Sequence, residues 1–343
     1  MNIKTINKSC TGTQYRRSRF FILAVILCAG TLFQPPPAVF SETNGEIPNP
    51  PATTSMLVPK ADSVTVFDTD VFTLDSAAVG DTFEISIAYP RSYRHGDQRY
   101  PVVYILDANL IFATAAQIAM TLTIDRATGV RELLLVGIGY PLKEESWFAE
   151  VSRLRMRDFS PPGFSMPPPP PTINTGEGNR PAEWNTAGGA PKFLAFIQTE
   201  LDPLIRKQFR AEGETAGIMG ISGGGLFTIY TFAQRPSLFD RYWIGSTGFP
   251  DENDPVLKQF AATLRQGAPV ASRLFISIGE LEQRPGSALY DFIARTHHQI
   301  DRMLEGPVAA NVQVVSHVFP GESHGSVVPA ALTRAFTVLY GTR

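Results

Sequence analysis

From about residue 64 to the C-terminus, short apolar runs alternate with amphipathic stretches. Val64 to Leu74 and Thr82 to Tyr89 carry β-branched and aromatic residues in partial alternation around Gly80-Asp81, the pattern of an antiparallel strand pair joined by a tight turn. Pro101 to Leu106 (PVVYIL) and Leu133 to Ile138 (LLLVGI) are continuous apolar runs, which suits strands buried on both faces. Further runs at Thr215 to Ile221, Tyr242 to Ile244, Leu274 to Ile278 and Val312 to Val318 alternate with helical stretches near 190–209, 224–235, 254–266, 287–304 and 328–340. This rhythm predicts a mostly parallel sheet covered by helices on both faces, with the antiparallel pair at one sheet edge. A region from about 141 to 191 interrupts it with Pro161-Pro162, prolines at 167–171 and a stretch from Gly176 to Gly189. We read that region as a surface excursion forming a lid or rim near a binding site.

The N-terminal residues follow a different pattern. Arg16, Arg17 and Arg19 precede the apolar run Phe20 to Phe33, which ends in Gln34 and three prolines. The run is shorter than the roughly 20 residues a spanning helix needs, and it reads as a signal peptide over 1–41. The expected location is therefore periplasmic or secreted, with no stable membrane insertion once the leader is removed. A retained anchor, lipidation at Cys28 and a twin-arginine route through Arg16-Arg17 are the alternatives. Residues 42–60, rich in Pro, Thr, Ser and Asn, read as a disordered tether, leaving 61–343 as one catalytic domain. The two cysteines, Cys10 and Cys28, both fall in the leader. A mature chain without cysteine has no thiol nucleophile, Cys-ligated zinc or disulfide. Lys and Arg number 30 against 32 Asp and Glu, with no basic block in the body of the chain, which argues against nucleic acid as a partner.

Candidate chemistry sits where strands end. Gly220-Ile221-Ser222-Gly223-Gly224 matches G-x-S-x-G, with an apolar strand leading in and a helical stretch following. That context fits a nucleophile elbow, in which a strained strand-to-helix turn exposes the serine and glycines relieve the crowding around it. A serine hydroxyl needs a general base, and the chain has five histidines. His95 lies in a turn ahead of the buried strands, His297 and His298 are mid-helix, and His317 is within the last strand. His324 remains, in a polar loop before the closing helix. The acid that orients it is expected after the strand ending at Ile278. Glu282 is preferred because alternation turns it back toward the site, Glu280 is the alternative, and Asp251 and Asp254 lie after the preceding strand. Gly223 and Asn109 would supply backbone N–H groups to an oxyanion, with Asn109 also a possible cap of the helix it opens.

Taken together, YILDAN at 104–109, RMRDF at 155–159, the segment 188–209, GISGGG at 220–225, GELE at 279–282 and GESHGS at 321–326 resemble an esterase family of the α/β-hydrolase fold. That family includes esterase D-like enzymes and periplasmic siderophore esterases. The resemblance implies carboxylester hydrolysis without metal or cofactor, and it falls on Ser222, Glu282 and His324. Where family members often have glycine after the aspartate of the early turn, this chain has Ala108. The expected activity is a serine carboxylester hydrolase acting through an acyl-enzyme on a small-molecule ester, siderophore-type or otherwise. Arg155 and Arg157 are candidate substrate-binding residues, with an Arg157–Asp158 ion pair as the other reading. An acyltransferase on the same fold and a catalytically silent binding protein are the competing functions.

Overall fold

The computed structural model describes residues 66, 68–125, 127–142, 147–165 and 187–342. The leader and the tether to residue 60 lie outside these, as do prolines 167–171. Among the described residues, eight strands form one sheet: β1 (Thr69–Ser76), β2 (Asp81–Ala88), β3 (Tyr100–Ile105), β4 (Leu134–Gly139), β5 (Ala211–Ile221), β6 (Phe239–Gly245), β7 (Ser272–Gly279) and β8 (Val312–Phe319). Their spatial order is β1-β2-β4-β3-β5-β6-β7-β8. β1 pairs antiparallel with β2, and β2 antiparallel with β4; every later pairing is parallel.

Between and after the strands run α1 (Ala108–Ile124), α2 (Trp147–Phe159), α3 (Ala190–Phe196), α4 (Asp202–Gln208), α5 (Gly223–Ala233), α6 (Pro255–Gln266), α7 (Ala288–Glu305) and α8 (Val327–Tyr340). A π-helical turn, Ile197–Leu201, links α3 to α4, so 190–208 runs as one continuous helical stretch. The region read as an excursion is partly helical, since α2 lies inside it. Val151, Leu154 and Phe159 of α2 are buried, an amphipathic face that the surrounding prolines obscure in the sequence.

Side-chain alternation divides the core into two layers. From β3, Tyr100, Val102 and Tyr104 pack with the helices at 190–208, α5 and α6, where Phe83, Phe193, Phe196 and Phe227 gather. Val103 and Ile105 point to the opposite face, against α1 and α8. A central sheet with helices on both faces and this strand order is the α/β-hydrolase architecture. Its consequence is positional. The turns leaving β3, β5, β6, β7 and β8 all open at the same edge of the sheet, the end where such folds carry ligands.

Candidate active site

Ser222 sits between β5 and α5 at φ 57°, ψ −120°, a conformation an L-residue adopts only under strain. Packing enforces it. A side chain at Gly220 would place its Cβ 2.4 Å from the Gly224 carbonyl group, so only glycine lets strand and helix approach this closely. The Ser222 N–H donates to the Gly245 carbonyl (2.9 Å), tying the turn to β6. Gly223 opens α5, where first-turn N–H groups have no intrahelical acceptor.

The second N-terminus at this edge belongs to α1. Asp107 caps it in the left-handed region (φ 55°, ψ 43°) without a side-chain capping bond. A Cβ on Gly224 would lie 3.1 Å from Asp107 Oδ2, so the two helix starts stand side by side. Asn109 lies in the first turn of α1. It is no cap: its side chain straps α1 to the end of β4, with Nδ2 donating to the Tyr140 carbonyl (2.9 Å) and Oδ1 accepting the Tyr140 N–H (2.8 Å).

The buried Asp107 carboxylate is matched by Arg155, whose Nε and Nη2 donate to its two oxygens at 2.7 Å each. Burial works against the Arg155 charge, but Asp107 outweighs it, and the guanidinium pKa is raised. The same guanidinium lies over the elbow: a Cβ on Gly223 would meet Nη2 at 2.9 Å and Nη1 at 3.3 Å. Nη1 takes no part in the pairing with Asp107. Arg157 is different. Its Nε and Nη2 donate to Asp158 and its Nη1 to Asp81, so its guanidinium is held within the fold. Of the two arginines named from the sequence, only Arg155 is brought to the elbow. Arg157 takes the ion-pair reading, because two residues along a helix turn a side chain toward the opposite face.

The acidic and basic residues come from the turns after β7 and β8. Glu282, in the 3-10 turn Glu280–Gln283, is fully buried. Its Oε1 is 2.5 Å from His324 Nδ1. Its Oε2 accepts from the Ser246 hydroxyl and from the Gly279 N–H, both at 2.7 Å. Three donors offset the cost of burying a carboxylate. Glu280 instead accepts the Gly321 N–H from an exposed position, Asp251 accepts the Asn253 N–H, and Asp254 caps α6. Ser222, by contrast, forms no side-chain hydrogen bond with His324 among the described residues.

Three features of the site carried no signal in the sequence: Ser246, Tyr290 and the pairing of Asp107 with Arg155. Asp107 and Arg155 are 48 positions apart, and neither motif points to the other. Ser246, left in an unusual backbone conformation (φ 36°) after β6, looks like an ordinary strand-end serine. Tyr290 lies beside His324, ring centroids 6.3 Å apart. Among the described residues, no cluster of His, Cys, Asp or Glu has the arrangement to hold a metal, and no helix is long and apolar enough to cross a membrane.

Comparison with known proteins adds relatives. Residues 172–301 match the family model described as "Putative esterase". The ferri-bacillibactin esterase BesA of Bacillus subtilis is 29% identical over 282 residues, covering 80% of this chain and 90% of that one. The siderophore triacetylfusarinine C esterase of Aspergillus fumigatus is 25% identical over 286 residues, 76% of this chain and 89% of the relative. Among solved structures, the BES protein of Bacillus cereus superposes with a TM-score of 0.67 at 26% identity, over 81% of this chain and 98% of that one.

Proposed function

Starting from an α/β-hydrolase-fold esterase related to the siderophore esterases, we propose that this chain is an exported serine hydrolase working through an acyl-enzyme. The observation that carries the reading is the buried Glu282 carboxylate against His324 Nδ1, at the sheet edge that also bears the strained Ser222. With Nδ1–H donated to Glu282, Nε2 is the unprotonated nitrogen and can take the Ser222 proton. Ser222 Oγ then attacks the ester carbonyl carbon. The developing oxyanion is received by the N–H groups of Gly223 and Asn109, at the positive ends of α5 and α1. His324 passes its proton to the departing alcohol oxygen, and water, activated by the same imidazole, releases the acid.

Arg155 has a further place in this scheme. It neutralises Asp107, which would otherwise put a negative charge beside the oxyanion, and its Nη1 is a donor for an oxygen on the acyl side of the substrate. The siderophore esterases among the relatives support a siderophore-type ester as substrate, and the basic-then-apolar leader supports export.

The test is hydrolysis of p-nitrophenyl butyrate by the leaderless protein with water as sole acceptor. Ser222→Ala and His324→Ala, folded as wild type by circular dichroism, are each expected to lose at least about 10³-fold in kcat. Wild-type turnover by Ser222→Ala would remove the assigned nucleophile. Ferric siderophore esters, assayed next by release of the linear acid, test the substrate class.

A further inference from the structure

Resting on the serine-esterase reading, the chemistry fixes which flank of the site meets which half of an ester. In acylation the Ser222 Oγ–carbonyl carbon bond forms and the carbon–alkoxy oxygen bond breaks. The hydroxyl proton travels through His324 to the alkoxy oxygen, so a neutral alcohol departs. The departing oxygen must come within hydrogen-bond reach of the imidazole, and the alcohol portion therefore lies along the His324 flank. The carbonyl oxygen lies at the other flank, with Gly223 and Arg155.

The His324 flank carries a ring. Tyr290 stands at the start of α7, half-buried, its plane tilted 42° to the imidazole at a centroid separation of 6.3 Å. Ser287 caps α7 by accepting the Tyr290 N–H, which sets where this side chain leaves the helix. The exposed Leu110, Trp147 and Phe148 belong to α1 and α2, which follow β3 and β4, across β5 from β7 and β8 in the sheet. A tyrosine face at the exit of the alcohol is suited to a planar, apolar group, because aromatic faces gain contact energy from rings that short alkyl chains lack.

We propose that Tyr290 forms the subsite for the alcohol portion of the ester and selects esters of aryl-bearing alcohols over those of short alkyl alcohols. Methyl and benzyl butyrate share one acyl-enzyme and differ only in the alcohol, so comparing them isolates this subsite. Tyr290→Ala is expected to lower kcat/KM for benzyl butyrate about ten-fold while leaving methyl butyrate within about two-fold of wild type. Tyr290→Phe is expected to behave as wild type. Deacylation of the butyryl-enzyme, measured in single turnover after the alcohol has gone, is expected to be unchanged.

Equal loss on both esters together with slower deacylation would overturn the proposal and make Tyr290 a positioning residue for His324. Unchanged rates on both esters would overturn it too. Ser222→Ala, run in parallel, separates the two levels: if it keeps turnover, the esterase mechanism fails whatever Tyr290 does.

Discussion

The two halves of the site are held in place by different physics. On the Glu282 side, Glu282 and His324 are fixed by hydrogen-bond satisfaction: a fully buried carboxylate meets donors from β7, from Ser246 and from the imidazole. On the Ser222 side, Ser222 and Asp107 sit at positive φ and are held there by close packing and by one bidentate ion pair. The first side is tuned by chemistry at single atoms. The second depends on space.

The sharpest way to break the comparison is Glu282→Gln. Ser246 and Gly279 both donate to Oε2, so they will hold the amide oxygen on that side and turn the amide NH2 toward His324 Nδ1. The imidazole must then carry its proton on Nε2, the wrong tautomer for accepting one from serine. By analogy with the aspartate-to-asparagine change in the serine-protease triad, kcat should fall about 10³–10⁴-fold near neutral pH, with the melting temperature little changed. Retention of most activity would mean that Ser222 and His324 work as a pair, with Glu282 serving packing alone.

Replacing Arg155 should come next in size. Arg155→Met leaves the buried Asp107 carboxylate unpaired, at a cost of about 3–5 kcal/mol of folding stability, readable by urea denaturation. Arg157→Met tests the contrast: Arg157 also holds a buried aspartate, Asp158, but the Tyr140 hydroxyl donates to that carboxylate as well, so a smaller loss is expected. If Arg155→Met costs no more than Arg157→Met, the ion pair is not what holds the elbow.

Gly220→Ala probes strain directly. With a Cβ 2.4 Å from the Gly224 carbonyl group, the turn must shift, costing about 1–3 kcal/mol and displacing Ser222. Activity should fall further than stability alone explains. A variant as active and stable as wild type would show that the turn has slack.

The smallest effect concerns pH. Burial holds the His297 pKa below its ordinary 6.5, against the pull of Asp301 and Glu282, with His298 adding to the depression. Between the folded value and 6.5 the unfolded chain binds more protons, so stability rises with pH through that window and is lost as pH falls below 6.5. Thermal melts of His297→Gln across that range should show a shallower slope than wild type. Some slope should remain, because burial lowers the His317 pKa as well. An unchanged slope would exclude His297 as its source.

Much of this was legible in the chain. Six of the eight strands have an apolar run and the first two a partial alternation, because burial on one or both faces writes a period that neighbours in sequence share. The G-x-S-x-G turn and the order of serine, acidic residue and histidine could be read for the same reason: each depends on a strand end and the few residues after it. The helix inside the proline-rich region was hidden, since proline and glycine on either side masked its short amphipathic face.

Partner choice was not legible. Glu280 and Glu282 are near-identical candidates in sequence, as are Arg155 and Arg157; one member of each pair faces the site only because of how its turn or helix lies against strands distant in the chain. Ser246 reaches Glu282, and Tyr290 reaches His324, through the adjacency of β6, β7 and β8. The sequence by itself determined the elements, their order and the residues able to do chemistry, because those follow from local periodicity and side-chain type. Tertiary structure alone decided which of those residues meet, because contact across a sheet depends on strand order and register, which no local pattern encodes.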